Sequence, residues 1–321
     1  MFLNSMFELT LSLDSEKFTK LYEQAYGALE SLDSDKFADH TLAAKGITVL
    51  YQDSQYKKKI KLIVNPCRML DTDKPNIEKM TLKLEKFVSN YFNNKYQLDD
   101  FELSGMGLTV DIDVRSSEKV YDYLKVLRRI GKIKGFSPSK DNWLNDDNSF
   151  CLDGNSNGIK FLLYDLEVLI GQGTNDEYSN TGFPEECKGL LRAEVRLTKP
   201  KAIREYTNKS SISKQIADLH DNRKRIFFDT FMRIVPFGDF YKKDKAEEII
   251  RTKIQDTTIR RKMLWLVGLV PEKKSLLLAQ KALNCRRIDK VMKAFFDIQV
   301  SPINISKRHD IKKLDNLYKY L

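Results

Sequence analysis

The sequence predicts an α+β fold, in which a mostly antiparallel sheet with helices on one face is followed by an all-α basic domain. Strand-like and helix-like segments alternate up to about residue 206, and the start of this stretch recurs near residue 108, so the sheet divides into two βαββ repeats. Beyond residue 199 the pattern is helical and strongly basic. We therefore expect an α+β domain at 1–206 and a helical domain at 207–321.

The first elements follow from residue periodicity. Residues 7–13 alternate in polarity like a half-buried strand, and residues 15–29 have helical spacing from an N-cap at Ser15. Residues 46–52 and 57–64 are rich in β-branched and aromatic side chains and flank a polar turn, which predicts a hairpin. The apolar side chains of residues 75–93 fall near one face, which indicates an amphipathic helix.

A second unit repeats the first. Residues 108–113 resemble residues 9–14, and Ser117-Glu118-Lys119-Val120 resembles Ser15-Glu16-Lys17-Phe18. A chance similarity explains the same short match, because much of it is ordinary amphipathic pattern. The expected elements of the second unit are a strand at 108–113, a helix at 117–130, strands at 159–164 and 190–197, and polar loops at 141–149 and 171–176.

Charge is distributed unevenly along the chain. The net charge is +10, but residues 199–321 hold 29 Lys and Arg against 14 Asp and Glu, so this tail carries +15 and residues 1–198 carry −5. Lys and Arg displace the counterions that condense on phosphate backbones, and the tail is therefore predicted to bind DNA. A helical bundle with charged outer faces is the alternative.

The tail should contain five helices, at about 210–232, 241–268, 272–283, 285–297 and 307–319. Residues 272–297 would form two short helices joined at Asn284-Cys285, an arrangement suited to duplex recognition. The basic residues that recur along the tail are the candidate phosphate contacts: Arg223, Lys224, Arg225, Arg260, Arg261, Lys262, Arg286 and Arg287.

Several functional classes are disfavoured by composition. No apolar run approaches the roughly 18 residues of a membrane span, and the N-terminus has no secretory signal, so a cytoplasmic protein without a membrane partner is expected. The four cysteines are far apart, which argues against a zinc knuckle or a disulfide framework. The three histidines are isolated, and neither a phosphate-binding Gly-rich loop nor a serine-hydrolase elbow occurs.

Acidic residues on predicted strands are candidate metal ligands. Side chains alternate along a strand, so Asp111 and Asp113 share one face about 7 Å apart, with Ile112 on the other. Mg²⁺ and Mn²⁺ prefer oxygen ligands, and such a pair can hold one against a substrate phosphate. A solvated polar face accounts equally well for the two aspartates.

The strand at 190–197 places Arg192, Glu194 and Arg196 on one face. Glu194 is a candidate third metal ligand, and the arginines are candidate phosphate clamps. A salt-bridge ladder across strands is the alternative. Tyr164 ends an apolar strand and is a candidate nucleophile toward a phosphodiester, although most tyrosines at strand ends are simply half-buried.

The order of four motifs resembles the rolling-circle replication initiators of Gram-positive plasmids, together with related relaxases and filamentous-phage initiators. A strand ends in Asn65-Pro66, a second carries Asp111-Ile112-Asp113, a third runs into Tyr164, and the last contains Arg192-Ala193-Glu194-Val195. The resemblance covers roughly residues 55–206. One departure is that Asp165-Leu166-Glu167 follows the tyrosine, where the family tends to have Asn-Lys-Lys.

This resemblance implies a DNA-nicking enzyme that serves rolling-circle replication or mobilisation of a plasmid or similar element. Tyr164 would cleave one strand and stay joined to the 5′ phosphate, assisted by Mg²⁺ or Mn²⁺ held by Asp111, Asp113 and Glu194. The implied partners are origin DNA, both duplex and single-stranded, a second copy of the chain in a homodimer, and a host helicase. The alternative is a non-enzymatic DNA-binding protein that recognises an origin or controls copy number.

Overall fold

A large antiparallel sheet forms the centre of the molecule. The computed structural model describes residues 4–26, 36–39, 41–54, 57–72, 74–139, 147–171 and 184–321. The strands of this sheet are β1 Asn4–Leu13, β2 Lys36–Asp39, β3 Ile47–Ser54, β4 Lys57–Val64, β5 Glu102–Asp113, β6 Phe136–Pro138, β7 Ser149–Gly154, β8 Ile159–Asp165 and β9 Leu190–Leu197. Within the described ranges their spatial order is β2-β3-β4-β1-β5-β9-β8-β7-β6, and all neighbours pair antiparallel.

Helices connect and follow these strands. They are α1 Ser15–Tyr26, α2 Pro66–Leu70, α3 Ile77–Tyr91, α4 Ser117–Leu127, α5 Leu166–Gly171, α6 Pro200–Arg204, α7 Ile212–Asp221, α8 Arg223–Ile234, α9 Lys243–Lys253, α10 Thr257–Lys273, α11 Leu276–Ala282 and α12 Ile288–Asp297. Two short strands, β10 Phe240–Tyr241 and β11 Lys313–Leu314, form a separate small sheet.

The large sheet has one apolar face, because side chains alternate along its strands. On β9, for example, Leu191, Ala193 and Val195 enter the main core, while Arg192 and Glu194 lie on the other side, which we call the second face. Helices α1, α4, α7 and α8 pack against the sheet on the apolar side. The α+β fold with a mostly antiparallel sheet is therefore confirmed, and only the short helix α5, among the described helices, lies against the second face.

The two halves of the sheet share one topology. In each half the first strand leads into a helix and pairs with the last strand, as β1 does with β4 and β5 with β9. The two first strands, β1 and β5, then pair with each other and join the halves. The helices that were aligned by sequence begin at equivalent positions, Ser15 and Ser117.

The main core is continuous across the domain boundary predicted near residue 206. Phe231 of α8 makes an edge contact with Phe161 of β8 at 6.0 Å between ring centroids. Tyr123 of α4 lies 6.4 Å from Phe240 in the same way, and its hydroxyl donates to the backbone carbonyl of Asp315 at 2.8 Å. The division at residue 206 stays a prediction, but the helical tail supplies part of the packing for the sheet.

Several predicted helices end earlier than expected because polar side chains interrupt them. The helix predicted at 210–232 is two helices separated at Asn222, whose side-chain amide donates to the carbonyl of Asp218. The helix predicted at 241–268 is also two, because Asp256 caps a new one by accepting from the amides of Thr258 and Ile259. The N-cap of α1 is Asp14 rather than Ser15, since the Asp14 carboxylate accepts from the Lys17 amide at 2.8 Å.

The prediction of a helix at 307–319 is wrong. This segment forms β11 against β10, followed by a 3₁₀ turn at Leu317–Lys319. Asn316 accepts from the Tyr318 amide at the start of this turn, and its own amide donates to Asp239. Pairing with β10 and these side-chain hydrogen bonds override the weak helix propensity of the segment.

The short strands β2, β6 and β7 were not predicted, and Ser149, assigned to a loop, begins β7. Residues 141–146 of that loop and residues 172–176 of the loop predicted at 171–176 lie outside the described residues, and Gly171 is the last residue of α5. All four cysteines are free. In the part of the chain that the structure describes, no helix combines the length and apolar character needed to cross a membrane.

Candidate active site on the second face of the sheet

Three strands bring the candidate chemistry together. Because β5, β9 and β8 pair in register, Arg192 lies opposite Asp111 on one side and opposite Tyr164 on the other. Glu194 belongs to the next row along, between Thr109 and Leu162. Asp111, Arg192, Glu194 and Tyr164 therefore form one cluster on the second face, although they come from distant parts of the sequence.

Asp111 and Arg192 form a two-point ion pair. Arg192 Nε and Nη2 donate to the two carboxylate oxygens of Asp111 at 2.5 and 2.8 Å. The Arg192 side chain is 4% exposed and that of Asp111 is 37% exposed. Burial is the largest single influence and by itself would lower the pKa of Arg192, but the hydrogen bonds with Asp111 and the charges of Tyr164, Asp111 and Glu194 together outweigh it and raise this pKa above its ordinary value.

Glu194 is held by a second arginine and by the tyrosine. Arg196 Nε and Nη2 donate to its two oxygens at 2.5 and 3.0 Å, and the Tyr164 hydroxyl donates to Oε2 at 3.2 Å. The Glu194 side chain is 0% exposed and that of Arg196 is 19% exposed. A buried carboxylate needs such partners, because an unpaired charge in the interior is costly.

Tyr164 is fully buried, although it ends its strand. Leu166 and Leu169 of α5 pack with it on the second face, together with Leu162 and Cys187. The sequence that follows the tyrosine accounts for this cover. Asp165 accepts from the Val168 amide at the start of α5 at 3.2 Å, so the residues after the tyrosine begin a helix.

Asp113 points to the same side of the sheet as Asp111, as predicted, and both are exposed. One of its carboxylate oxygens accepts from the backbone amide of Arg115 at 2.8 Å. Arg115 has φ 77°, so this hydrogen bond stabilises an unusual turn between β5 and α4.

The arrangement does not fit a divalent metal. Both oxygens of Asp111 and both oxygens of Glu194 accept from guanidinium groups. Within the described ranges, no three His, Cys, Asp or Glu side chains are grouped so that they could hold a metal. The arrangement corresponds instead to the alternative of ion pairs along the strands, and the Mg²⁺ or Mn²⁺ site stays a prediction.

The candidate phosphate contacts of the tail lie on separate elements. Lys224, Arg225, Arg261, Arg286 and Arg287 are exposed, and Lys262 is half-buried. Two others close helix ends: Arg223 donates to the His220 carbonyl at 2.6 Å, and Arg260 donates to the Ile254 carbonyl at 3.2 Å. The two short helices expected around Asn284 are present as α11 and α12, and Asn284 has φ 47°.

The Asn-Pro motif has a structural explanation. Asn65 is buried and caps α2, accepting from the amides of Cys67 and Arg68, and Pro66 is the first residue of the helix.

Two further tyrosines are alternatives to Tyr164 as nucleophile. Tyr206 is half-buried, and burial raises its pKa; Tyr178 lies outside the described residues.

The cluster could support a displacement at phosphorus if its phenol became accessible. Glu194 is placed to accept the phenolic proton, and the buried guanidinium of Arg192 is placed to stabilise negative charge on the attacking oxygen and on the phosphate. The hydrogen bond between Tyr164 and Glu194 was not anticipated from the sequence. Strand alternation combined with the pairing of β8 and β9 would have been enough to find it.

No family model matches the chain, and no curated protein matches it. Among solved structures, a rolling circle replication initiator protein from Geobacillus stearothermophilus is similar to it, with 12% sequence identity over 96% of this chain and 100% of that chain. The TM-score is 0.30. A likeness at this level carries no conclusion about shared fold or function, so both depend on the residues described above.

Proposed function

We propose that the chain is a DNA-binding initiator of rolling-circle replication or mobilisation, and that Tyr164 is the nucleophile with which it nicks DNA. The cluster on the second face would be the cleavage site, and the basic tail would bind the origin. The observation that carries this proposal is the row formed by Asp111, Arg192 and Tyr164, with Glu194 hydrogen-bonded to the tyrosine. Three of the four motifs that resemble the initiator family meet there.

In the proposed reaction the Tyr164 oxygen attacks a backbone phosphorus, and its proton passes to Glu194. The bond between phosphorus and the 3′ oxygen breaks, the 3′ oxygen takes a proton from water and leaves as a hydroxyl, and the 5′ phosphate stays on the tyrosine. Arg192 would stabilise the charge that accumulates on the phosphate. The reaction requires α5 to move off the phenol, because Leu166 and Leu169 cover it.

A second candidate is a DNA-binding protein that does not cleave. It is favoured by the complete burial of Tyr164 and by the pairing of the Asp111 and Glu194 carboxylates with arginines. On this proposal the cluster stabilises the sheet, and the protein recognises an origin or controls copy number through its tail.

The deciding experiment is cleavage of supercoiled DNA that carries the genetic neighbourhood of the protein. Wild type, Tyr164→Phe and Tyr51→Phe would be incubated with Mg²⁺, with Mn²⁺ and with a chelator, and the products assayed for a nick and for protein on the 5′ end. Tyr51 is an equally buried tyrosine on the apolar side of the sheet, so it controls for loss of a buried hydroxyl.

We expect a nick and a covalent adduct from wild type and from Tyr51→Phe, and neither from Tyr164→Phe. An adduct that survives in Tyr164→Phe would move the nucleophile to another residue, with Tyr178 and Tyr206 the next to substitute. Salt-sensitive binding without cleavage under any condition would select the second candidate.

A further inference from the structure

A basic segment in the otherwise acidic first part of the chain meets the basic tail. Residues 128–134 read Arg-Arg-Ile-Gly-Lys-Ile-Lys and follow α4. This basic segment is not apparent from the net charge of residues 1–198, which is negative when summed over the whole stretch. In the structure it lies against the turn between α10 and α11.

Backbone contacts fix this meeting point. The Lys132 carbonyl accepts from Ser275 Oγ at 2.8 Å and from the Leu277 amide at 3.0 Å. Gly131, with φ 56°, is so close to the turn that an added Cβ would lie 2.3 Å from the Lys274 carbonyl oxygen. Lys132 and Lys274 are therefore held next to each other by the main chain, whatever their side chains do.

Further cations surround this point. Lys134 and Gly135 form the tip of a tight turn, and an Arg233 guanidinium nitrogen lies against Gly135, with that guanidinium over the Phe136 ring at 5.3 Å. We define the junction surface as Arg129, Lys132, Lys134, Arg233, Lys273 and Lys274. All of them except the half-buried Arg129 are exposed.

Few acids neutralise the junction surface. Lys273 pairs with Glu272 at 2.7 Å. No ion pair between described residues involves the other five, and the neighbouring Arg128 pairs with Asp147 at 3.0 Å. Like charges held together by the backbone repel each other, and a polyanion laid across them would remove that repulsion.

The conformation of Lys274 is a second, independent sign. It ends α10 with φ 49°, the left-handed region in which glycine is the favoured residue. A lysine here costs stability relative to glycine, and its side chain is exposed and forms no ion pair with a described residue. The lysine therefore adds an exposed charge to this surface at a position where glycine would be more stable.

We propose that the junction surface binds the phosphate backbone of duplex DNA, so that duplex is held by both predicted domains rather than by the tail alone. The proposal rests on the proposed function in that it takes DNA as the ligand. It adds residues that were not among the predicted contacts. It also places them on two chain segments whose relative position is fixed by hydrogen bonds to Lys132.

The test compares the salt dependence of binding to a duplex of about 30 base pairs of arbitrary sequence, using the full chain. The variant Lys132→Gln with Lys274→Gln removes two junction charges. Lys79→Gln with Lys86→Gln removes two equally exposed charges from α3, which packs mainly against α2 and α7. Each lost phosphate contact lowers the slope of log affinity against log salt by about 0.9, so the junction variant should lose about 2 and the control should lose none.

The variant Lys274→Gly distinguishes the loss of a DNA contact from a loss of folding stability, because it should change the two in opposite directions. Relief of the left-handed backbone should raise the melting temperature by about 2 °C, while the salt slope falls by about 1. Equal slopes for wild type and both junction variants would overturn the inference. If the wild type bound no duplex DNA, both the proposed function and this inference would be wrong. Binding to anionic phospholipid vesicles is measured in parallel. If the junction variants bind these vesicles less well than wild type while their duplex slope is unchanged, the inference is overturned in favour of a lipid surface.

Discussion

At the scale of single residues, Glu194 is the buried charge that holds Arg196 and Tyr164 together on the second face. It is fully buried, and its oxygens accept from Arg196 and Tyr164. The strand pattern of residues 190–197 was enough to place Glu194 beside Arg192 and Arg196. It could not distinguish a metal ligand from an ion pair, because that depends on the distances between side chains and on which residues cover them.

We expect Glu194→Gln to destabilise the protein by about 3 kcal/mol, because Arg196 and its neighbourhood lose a buried counter-charge. The free energy of unfolding in urea measures this. A double-mutant cycle with Arg196→Met should recover part of the loss, since it removes the unpaired charge. Additive effects of the two substitutions would show that the pair does not couple.

His220 should make stability depend on pH. Burial, with a smaller contribution from Arg223, lowers the pKa of His220 to about 4, against an ordinary value of 6.5, while Asp221 acts in the opposite direction. The folded state therefore favours the neutral ring, so this contribution is constant above about pH 6.5 and is lost as the pH falls toward 4. Because the ring is partly exposed, we expect a loss of about 1–2 kcal/mol.

Unfolding free energies of wild type and His220→Gln between pH 7 and pH 4.5 check this. The variant should have the flatter profile over that interval. The Ser5 hydroxyl lies 3.3 Å from Nδ1 of His220, so Ser5→Ala serves as a control that changes the contact without removing the titrating group. Parallel profiles for wild type and His220→Gln would contradict the expectation.

At the scale of elements, local sequence was informative where a strand or helix has a strong pattern. β1 and β9 were predicted because apolar and polar side chains alternate along them, β4 because it is rich in β-branched side chains, and β8 because it is a short apolar run. β7 was missed because its sequence, Ser-Phe-Cys-Leu-Asp-Gly, contains few β-branched or aromatic residues, and its pairing with β8 stabilises it. The cover of Tyr164 by α5 was likewise a matter of tertiary packing.

The Asn65-Pro66 motif should be important for stability whatever the function. Asn65→Ala removes a buried cap from α2, and we expect a loss of about 1–2 kcal/mol. Asn76→Ala removes the corresponding cap from α3 at an exposed position, where the Asn76 side chain accepts from the Lys79 amide, and should cost about 1 kcal/mol or less. Thermal or urea denaturation of the two variants tests the difference, and an equal or smaller effect at Asn65 would refute it.

At the scale of the whole molecule, the core joins the predicted domains. Phe161, Tyr123 and Phe240 belong to one buried cluster that includes both sheet and tail. The charge asymmetry shows from the sequence alone that the tail is basic. It could not show that the tail packs on the sheet, because apolar periodicity does not say which surface a helix buries.

We therefore expect the chain to unfold as one cooperative unit. Hydrogen exchange followed by mass spectrometry in sub-denaturing urea should give similar opening free energies for protected peptides of β8 and of α8. Phe231→Ala should lower both together, since its ring contacts Phe161. Exchange in α8 that accelerates while β8 stays unchanged would show independent domains instead.

The order in which the strands pair has a consequence for folding speed. β3 with β4 and β7 with β8 are hairpins that close locally, but the pairing of β1 with β5 joins Phe7 to Met106. Such a distant contact must overcome a large loop-closure entropy, so the centre of the sheet should form last. Until it does, β1 and β5 present unpaired edges that can pair with another copy, and refolding should become slower and less complete as protein concentration rises.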